Sequence, residues 1–452
     1  MPTDGGGYLS EALFEFAFSD MLWKAMTPED LEAMSAGYKA RFPPVDMRPN
    51  TGLIEEYAGI DGFGQGFKLA GIPTLASTEM WDLANKVRRD NDPDQEIISA
   101  YIGMEQGQTH PDDLIERYAD IAGEKKIHYH PSPPCQKLTS AGNAGLTASE
   151  RLARAKEGLP PIFNSLYTAQ EMKKHPDINL NSWSMEQAKE AIPVMLDHPE
   201  LFDGLDKDFK KIVWDILSGK GKAGTDQNPR MNAIDYGAPT TRNRMFIGEG
   251  WNKKPTHYKS KGRKNPPAGR LPNPTALDIL PHLAREHREN KGRANAKMKQ
   301  LMDKGNLTPE AIRILGDGPQ VAISGAINPG NQTSQWRDGV SRNKQKRSFS
   351  HTYPADQHLS GLTHNRPAVM WDRLFTPEEF LAIQGFDPNY DLSSMMHPDG
   401  REITHETYTT GKRQKAIDTA LGNVVVPPVA RAIGLSAFDV PPSVQRTLLE
   451  RY

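Results

Sequence analysis

The sequence predicts an α/β fold, a doubly wound parallel or mixed sheet carrying a smaller, basic second domain. Three observations predict it. Short apolar strand signals at Leu53-Ile54, Ile72 to Ser77 and Ile127 to His130 alternate with helical stretches, the pattern of strand–helix–strand units whose helices cover both faces of one sheet. A glycine-studded run follows the first strand and an acid, Glu79, closes the second, the places where such sheets hold ligands. Charge is also uneven. Residues 251–372 carry 21 Lys+Arg against 9 Asp+Glu, and the remainder carries 34 against 48. That asymmetry predicts a polyanion-binding segment on an acidic body.

The 452 residues give room for one large or two to three ordinary domains. No run of eighteen apolar residues is evident, so no membrane span is expected. Residues 1–7 lack a basic region followed by an apolar run, so no secretory signal is expected. A single cysteine among 452 residues suits a reducing compartment.

Taken in order, residues 1–50 read as a helical extension. Leu9 to Met26 places apolar residues at helical spacing, and Thr27-Pro28-Glu29-Asp30 has the composition of a helix start. Residues 51–250 form the main domain, opening with Leu53-Ile54 and the run from Tyr57 to Phe67, whose glycines let a ligand approach the backbone. Their spacing does not match the phosphate-binding fingerprint. Ile127 to His130 is a strand ending at Pro133-Pro134-Cys135-Gln136, where two prolines stiffen the approach to the lone thiol. A lone cysteine is more often a buried small hydrophobe than a nucleophile, so Cys135 needs company to count. Residues 137–161 are rich in Ser, Gly, Thr and Ala and read as a loop, or a loop plus a helix. Glu186 by itself reads as an exposed acid on a helix. Alternation places Arg242 and Arg244 on one face of a strand. Residues 251–372 form the basic segment, with clusters at 253–254, 259–264 and 342–347 and a helix over 276–304. Residues 373–452 return to the main domain.

Several of these patches occur in an order that resembles the DNA cytosine C5-methyltransferases. Tyr57-Ala58-Gly59-Ile60-Asp61-Gly62-Phe63 resembles their first motif, Pro133-Pro134-Cys135-Gln136 their nucleophile motif, and Glu186-Gln187-Ala188 their Glu-Asn-Val. The run from Tyr236 to Arg244 resembles the motif ending Arg-x-Arg. Arg373 to Phe386 resembles the ninth motif and Leu421 to Pro428 the tenth. The resemblance covers roughly 53–250 and 373–435, and the intervening basic segment falls where that family carries its target recognition domain. It implies a Rossmann-like methyltransferase sheet, S-adenosylmethionine as methyl donor, double-stranded DNA as partner, no metal, and a monomer acting in the cytoplasm of a bacterium or viral host, or in a nucleus.

The resemblance also implies roles. Cys135 attacks C6 of a flipped-out cytosine, Glu186 donates a proton at N3, Arg244 grips O2 and Arg242 orients the site. Tyr57 to Phe63, Glu79, Met80, Asp120, Ile121, Pro133, Asn423 and Val424 would line the donor site, with Glu79 on the ribose and Asp120 on the adenine. Departures from the pattern are Asp61 in place of glycine, Thr240 in place of glutamine, and Gln187-Ala188 in place of Asn-Val. They keep two alternatives open: the same scaffold acting on another nucleic acid such as tRNA or with another donor, and a non-catalytic DNA-binding paralogue.

Overall fold

The computed structural model describes residues 26–43, 45–139, 146–219, 229–252, 254–258, 267, 270–289, 320–323, 351–354, 359–360, 368–369, 373–396, 417 and 420–438. The helical extension expected over residues 9–26, apart from Met26, the basic clusters at 259–264 and 342–347, and most of the expected 276–304 helix lie outside them.

Eight strands run from the start of the sheet to its antiparallel edge: β1 (Thr51–Glu56), β2 (Thr74–Glu79), β3 (Glu96–Ser99), β4 (Lys126–Pro131), β5 (Asn179–Ala188), β6 (Arg230–Asn232), β7 (Thr240–Thr241) and β8 (Asn243–Glu249). All except β7 form one seven-stranded sheet in the order β3-β2-β1-β4-β5-β8-β6. The first five are parallel; β8 runs antiparallel to both β5 and β6. Strand order reverses between β1 and β4, so the crevice beyond their C-terminal ends is where a doubly wound sheet holds ligands.

The helices explain why β1 is buried along its whole length. In chain order they are α1 (Pro28–Arg41), α2 (Gly62–Lys68), α3 (Asp82–Asn91), α4 (Pro111–Ala122), α5 (Ala148–Lys156), α6 (Pro160–Lys174), α7 (Ala191–Asp197), α8 (Lys207–Leu217), α9 (Ala276–Ile279), α10 (Pro377–Gln384), α11 (Ser393–Met396) and α12 (Pro427–Ala437). On one face, Ile54, Ile127, Tyr129, Trp183 and Met185 pack with Leu114 and Tyr118 of α4, Leu166 of α6 and Val213 of α8. On the other, Leu53 and Phe246 pack with Phe63 and Phe67 of α2 and Val429 and Ile433 of α12. A third cluster joins Ile60, Ala84 and Val87 to Phe380 and Ile383 of α10 and to Met34 of α1.

Local chemistry sets the boundaries. Thr27 caps α1 by accepting from the Asp30 amide at 3.2 Å, with Pro28 in the first turn. Thr376 and Glu379 form a reciprocal capping box on α10, and Glu379 is also hydrogen-bonded to His282 at 2.6 Å. Ala276, Ile279, Leu280 and Leu283 are buried with Phe375, Phe380 and Phe386, so this stretch of the basic segment contributes to the main core. The expected helix there breaks after Ile279, just before Pro281, and resumes over 282–289. Further along lie β9 (His257–Tyr258), β10 (Leu271–Pro272), β11 (Gln320–Ile323), β12 (His351–Pro354), β13 (Leu359–Ser360), β14 (Ala368–Val369) and β15 (Arg373–Leu374). Of these, β12-β11-β14-β15 form an antiparallel sheet, and β13 pairs with β7. The run Ala420–Ala437 is long and apolar enough to cross a membrane by composition, yet 83% of it is buried inside the protein, as a core element.

Candidate active site

Two loops meet at the strand-order reversal. The first leaves β1 through three residues in the left-handed region, Tyr57 (φ 54°), Gly59 (φ 52°) and Asp61 (φ 71°). Such a path is costly for non-glycine residues and needs outside support. Glu79, at the end of β2, supplies it. Its carboxylate accepts from the Gly59 amide at 2.9 Å and from the Trp81 amide at 2.9 Å, which leaves lone pairs on both oxygens for a diol. A Cβ on Gly59 would meet no atom within 4 Å, so that face of the loop is open to a ligand. Gly62 is there for the opposite reason. A Cβ on it would lie 2.1 Å from Val424 Cγ2 and 2.2 Å from the Val425 carbonyl oxygen, and its absence lets Asn423-Val424 sit beside the first loop.

The second loop leaves β4. The Ser132 amide donates to the Glu56 carbonyl at 3.0 Å, Pro133 and Pro134 follow, and the Cys135 carbonyl accepts from the Leu138 and Thr139 amides at 2.9 and 3.1 Å. The thiol therefore stands at the start of a tight turn. Gln187 on β5 holds this loop from the side, its amide nitrogen donating to the Pro133 carbonyl at 3.0 Å. Glu186 precedes it on β5, buried to 5% exposure. Arg244 on β8 lies diagonally across from Glu186, a cross-strand position that long side chains reach, and its Nε is 3.0 Å from Glu186 Oε1. Arg242 is also buried and donates through Nη1 to the Gly422 carbonyl at 2.7 Å.

These four side chains form one electrostatic unit. Burial pushes the Cys135 thiol above the ordinary cysteine value; Arg244 and Arg242 pull it down and Glu186 adds to the rise. Burial likewise raises Glu186, against Arg244 and Arg242. Arg242 is pulled down to about 9 by burial and by the neighbouring Arg244. The unit can present a carboxyl group of raised proton affinity, a cation and a thiol to one planar group.

A family model described as C-5 cytosine-specific DNA methylase matches residues 229–438, which include Arg242, Arg244 and Asn423. Type II methyltransferase M.AquIA of Picosynechococcus sp. is 27% identical over 210 residues, covering 43% of this chain and 70% of that protein. Over residues 229–438 this chain is similar to the C-5 cytosine-specific DNA methylase family, and the comparisons support a DNA cytosine methyltransferase. Among solved structures, this methyltransferase is similar to a protein described as a DNA modification methyltransferase encoded within an E. coli prophage, with TM-score 0.42 and 14% identity over 86% of this chain and 99% of that one. It is also similar to a mutant of Spodoptera frugiperda DNMT2, with TM-score 0.37 and 14% identity over 88% and 99%.

Some sequence expectations for this methyltransferase need correction. Asp120 and Ile121 lie near the end of α4, which returns the chain to the start of β4. Since Lys126 pairs with Thr51, they sit at the N-terminal edge of the sheet, about 16 Å from the loops by strand rise. A connecting helix between parallel strands must end at that edge, so neither residue lines the crevice. Ile60 and Phe63 turn their side chains into the core. Asp61, also buried, accepts from Gln65 at 2.7 Å and lies 3.5 Å from Arg88, so its carboxylate is held inside the fold. Glu186 is on a strand, not on an exposed helix.

What the sequence reading missed lies at the end of β3. The Ala100 amide donates to the Glu79 carbonyl, and Tyr101 is exposed there beside the expected Met80. The signal was the β-branched pair in Glu96-Ile97-Ile98-Ser99, too short a run to stand out by periodicity.

Proposed function

We propose that this methyltransferase transfers a methyl group from S-adenosylmethionine to C5 of cytosine in duplex DNA, through a covalent bond between Cys135 and C6 of a flipped-out base. The observation that carries the reading is the meeting, at one site, of the Cys135 turn, which Gln187 ties to β5 at 3.0 Å, with Glu186 on that strand and Arg244, whose Nε lies 3.0 Å from the Glu186 carboxylate. A structural cysteine needs no such neighbours.

The residues of the first loop fit the donor. Gly59 leaves open space, Glu79 keeps free lone pairs for ribose hydroxyls, and Met80 and Tyr101 are exposed apolar surfaces beside it. Asn423, exposed, completes the rim, with Val424 buried behind it. When bound, the donor supplies an electrophilic methyl group. The protein does the rest. Cytosine C5 is a poor nucleophile until C6 is attacked. The raised thiol must give up its proton to solvent for that attack, and the two guanidiniums favour the resulting thiolate. As the Sγ–C6 bond forms, Glu186, whose hold on a proton burial strengthens, delivers a proton to N3, and the ring becomes an enamine with electron density at C5. Arg244 is the cation placed to grip O2 while balancing the carboxylate left on Glu186. After methylation, loss of the C5 proton to solvent returns the electron pair to the ring and expels the Cys135 thiolate, and N3 gives its proton back to Glu186. The basic segment 251–372, with its excess of twelve positive charges, is the part we assign to DNA backbone and base contacts.

The test is trapping. Duplex DNA with 5-fluorocytosine, incubated with S-adenosylmethionine, is expected to give a denaturation-resistant protein–DNA adduct, because fluorine cannot leave as a proton does. Cys135→Ala should lose the adduct while keeping salt-sensitive DNA binding. An adduct that survives this substitution, or one that forms only on RNA, would overturn the reading.

A further inference from the structure

The strands beneath the second loop carry a buried polar row that the chemistry above does not use. His128 and His130 on β4 face Ser182 and Ser184 on β5, all four almost completely buried. The row is continuous. His128 Nδ1 lies 2.7 Å from Ser182 Oγ, His128 Nε2 2.8 Å from Ser184 Oγ, His130 Nδ1 2.7 Å from Ser184 Oγ, and His130 Nε2 2.9 Å from Ser132 Oγ. Burial holds both rings far below the ordinary histidine value, His128 at about 3, so both are neutral. A neutral imidazole has one donor and one acceptor, and each hydroxyl one donor. The row is satisfied only when every bond runs in the same direction, which fixes each member's orientation through its neighbours.

Its members connect the working parts. Ser182, Ser184 and Glu186 are alternate residues of β5 and share a face. The His130 ring stacks on Phe63 of α2, the helix that follows the first loop, with centroids 3.3 Å apart and planes 1° apart. At the far end Ser132 is three residues before Cys135, and its backbone is tied to the Glu56 carbonyl. Between Ser132 and Cys135 stand only Pro133 and Pro134, whose φ angles are locked. Fixing Ser132 therefore leaves few torsions free to move the thiol.

We propose that His130 is a positioning residue for the attack of Cys135. Through Ser132, Ser184 and Phe63 it ties the nucleophile turn to the strand bearing Glu186 and to the helix after the donor loop. This rests on Cys135 being the nucleophile. An apolar β4 would pack the sheet as well; the paired hydroxyls and imidazoles give this junction one geometry.

The experiment uses the full chain and the fluorinated duplex. Ser132→Ala removes the last link without burying a charge, Ser132→Thr keeps the hydroxyl, and His130→Phe keeps the stack but removes both hydrogen bonds. Adduct formation at saturating DNA is expected to fall about ten- to a hundredfold in Ser132→Ala and His130→Phe, with KM for DNA and the thermal midpoint of Ser132→Ala near wild type, and to recover in Ser132→Thr. Should His130→Phe fail to fold, the two Ser132 variants decide. Unchanged adduct rates in Ser132→Ala overturn the proposal. So does a loss that follows KM or the unfolding midpoint and is not recovered by threonine, since that is a structural role only. A wild-type protein that forms no adduct instead refutes Cys135 as nucleophile.

Discussion

Two buried charge clusters flank the donor loop, and they are opposite in sign. At the thiol, Glu186 faces two guanidiniums, Arg244 and Arg242, so cations are in excess. Behind the loop, Arg88 faces two carboxylates, Asp61 at 3.5 Å and Glu55 at 4.0 Å, with all three side chains at most 2% exposed. There acids are in excess, and Glu55 is pushed well above the usual carboxylate range by burial and by Asp61. The sealed cluster relieves its imbalance by strengthening the hold of Glu55 on a proton. The open one, with Arg244 24% exposed, keeps a guanidinium within reach of an incoming anionic or polar group. The comparison teaches that stability and function handle an unmatched buried charge differently: one neutralises it internally, the other leaves it for substrate.

The largest effect expected on this contrast is at the open cluster. Cys135→Ala should lower methyl transfer by at least about four orders of magnitude, and Glu186→Gln by about two to four, with urea midpoints near wild type in both; methyl incorporation into DNA measures the first and equilibrium unfolding the second. At the sealed cluster the pattern reverses. Arg88→Met leaves two buried acids without their cation and should cost about 4 kcal/mol of stability, read by urea unfolding. Adding Asp61→Gly should recover much of this, because it removes one acid and suits a φ of 71°. A double variant no more stable than Arg88→Met would break the comparison.

Glu56 sharpens it further. This acid adjoins Glu55 but faces the other side of the sheet, accepting from Tyr129 Oη at 2.6 Å and Tyr118 Oη at 3.1 Å. Burial raises its carboxyl to about 7, against the lowering by those two hydroxyls. A raised carboxyl contributes stability that is full below pH 4.5 and is lost as pH climbs through 7. Between about pH 4.5 and 8 the wild type should lose about 3 kcal/mol that Glu56→Gln does not, measured by denaturant unfolding at both values. The smallest effect concerns the corrected assignment. Glu79→Ala should weaken donor binding by about tenfold through the lost hydrogen bonds, whereas Asp120→Ala, exposed at the other edge of the sheet, should leave it within about twofold; calorimetric titration with S-adenosylmethionine compares the two.

Much of this was legible from residue order. Proline pairs, a lone cysteine, glycines and the Thr27-Pro28-Glu29-Asp30 helix start act within a few residues of themselves, so their consequences are local and readable. The alternation His128-Tyr129-His130 and Ser182-Trp183-Ser184 was less so. It is the pattern of a half-exposed strand, yet both faces are buried, because α2 and α12 cover the polar side too. Asp120 was misplaced because sequence proximity to a strand does not tell which end of the sheet a residue reaches.

The sequence by itself determined the chemistry on offer: one thiol behind two prolines, an open glycine turn, an acid after the second strand, two arginines one residue apart, and a basic stretch. Only the tertiary structure decided which of these meet. Crossovers return the chain to the opposite edge of a parallel sheet before each new strand, so residues at the tips of β1, β2, β4 and β5 converge from distant positions. Residues on the connecting helices, however near in sequence, are carried away.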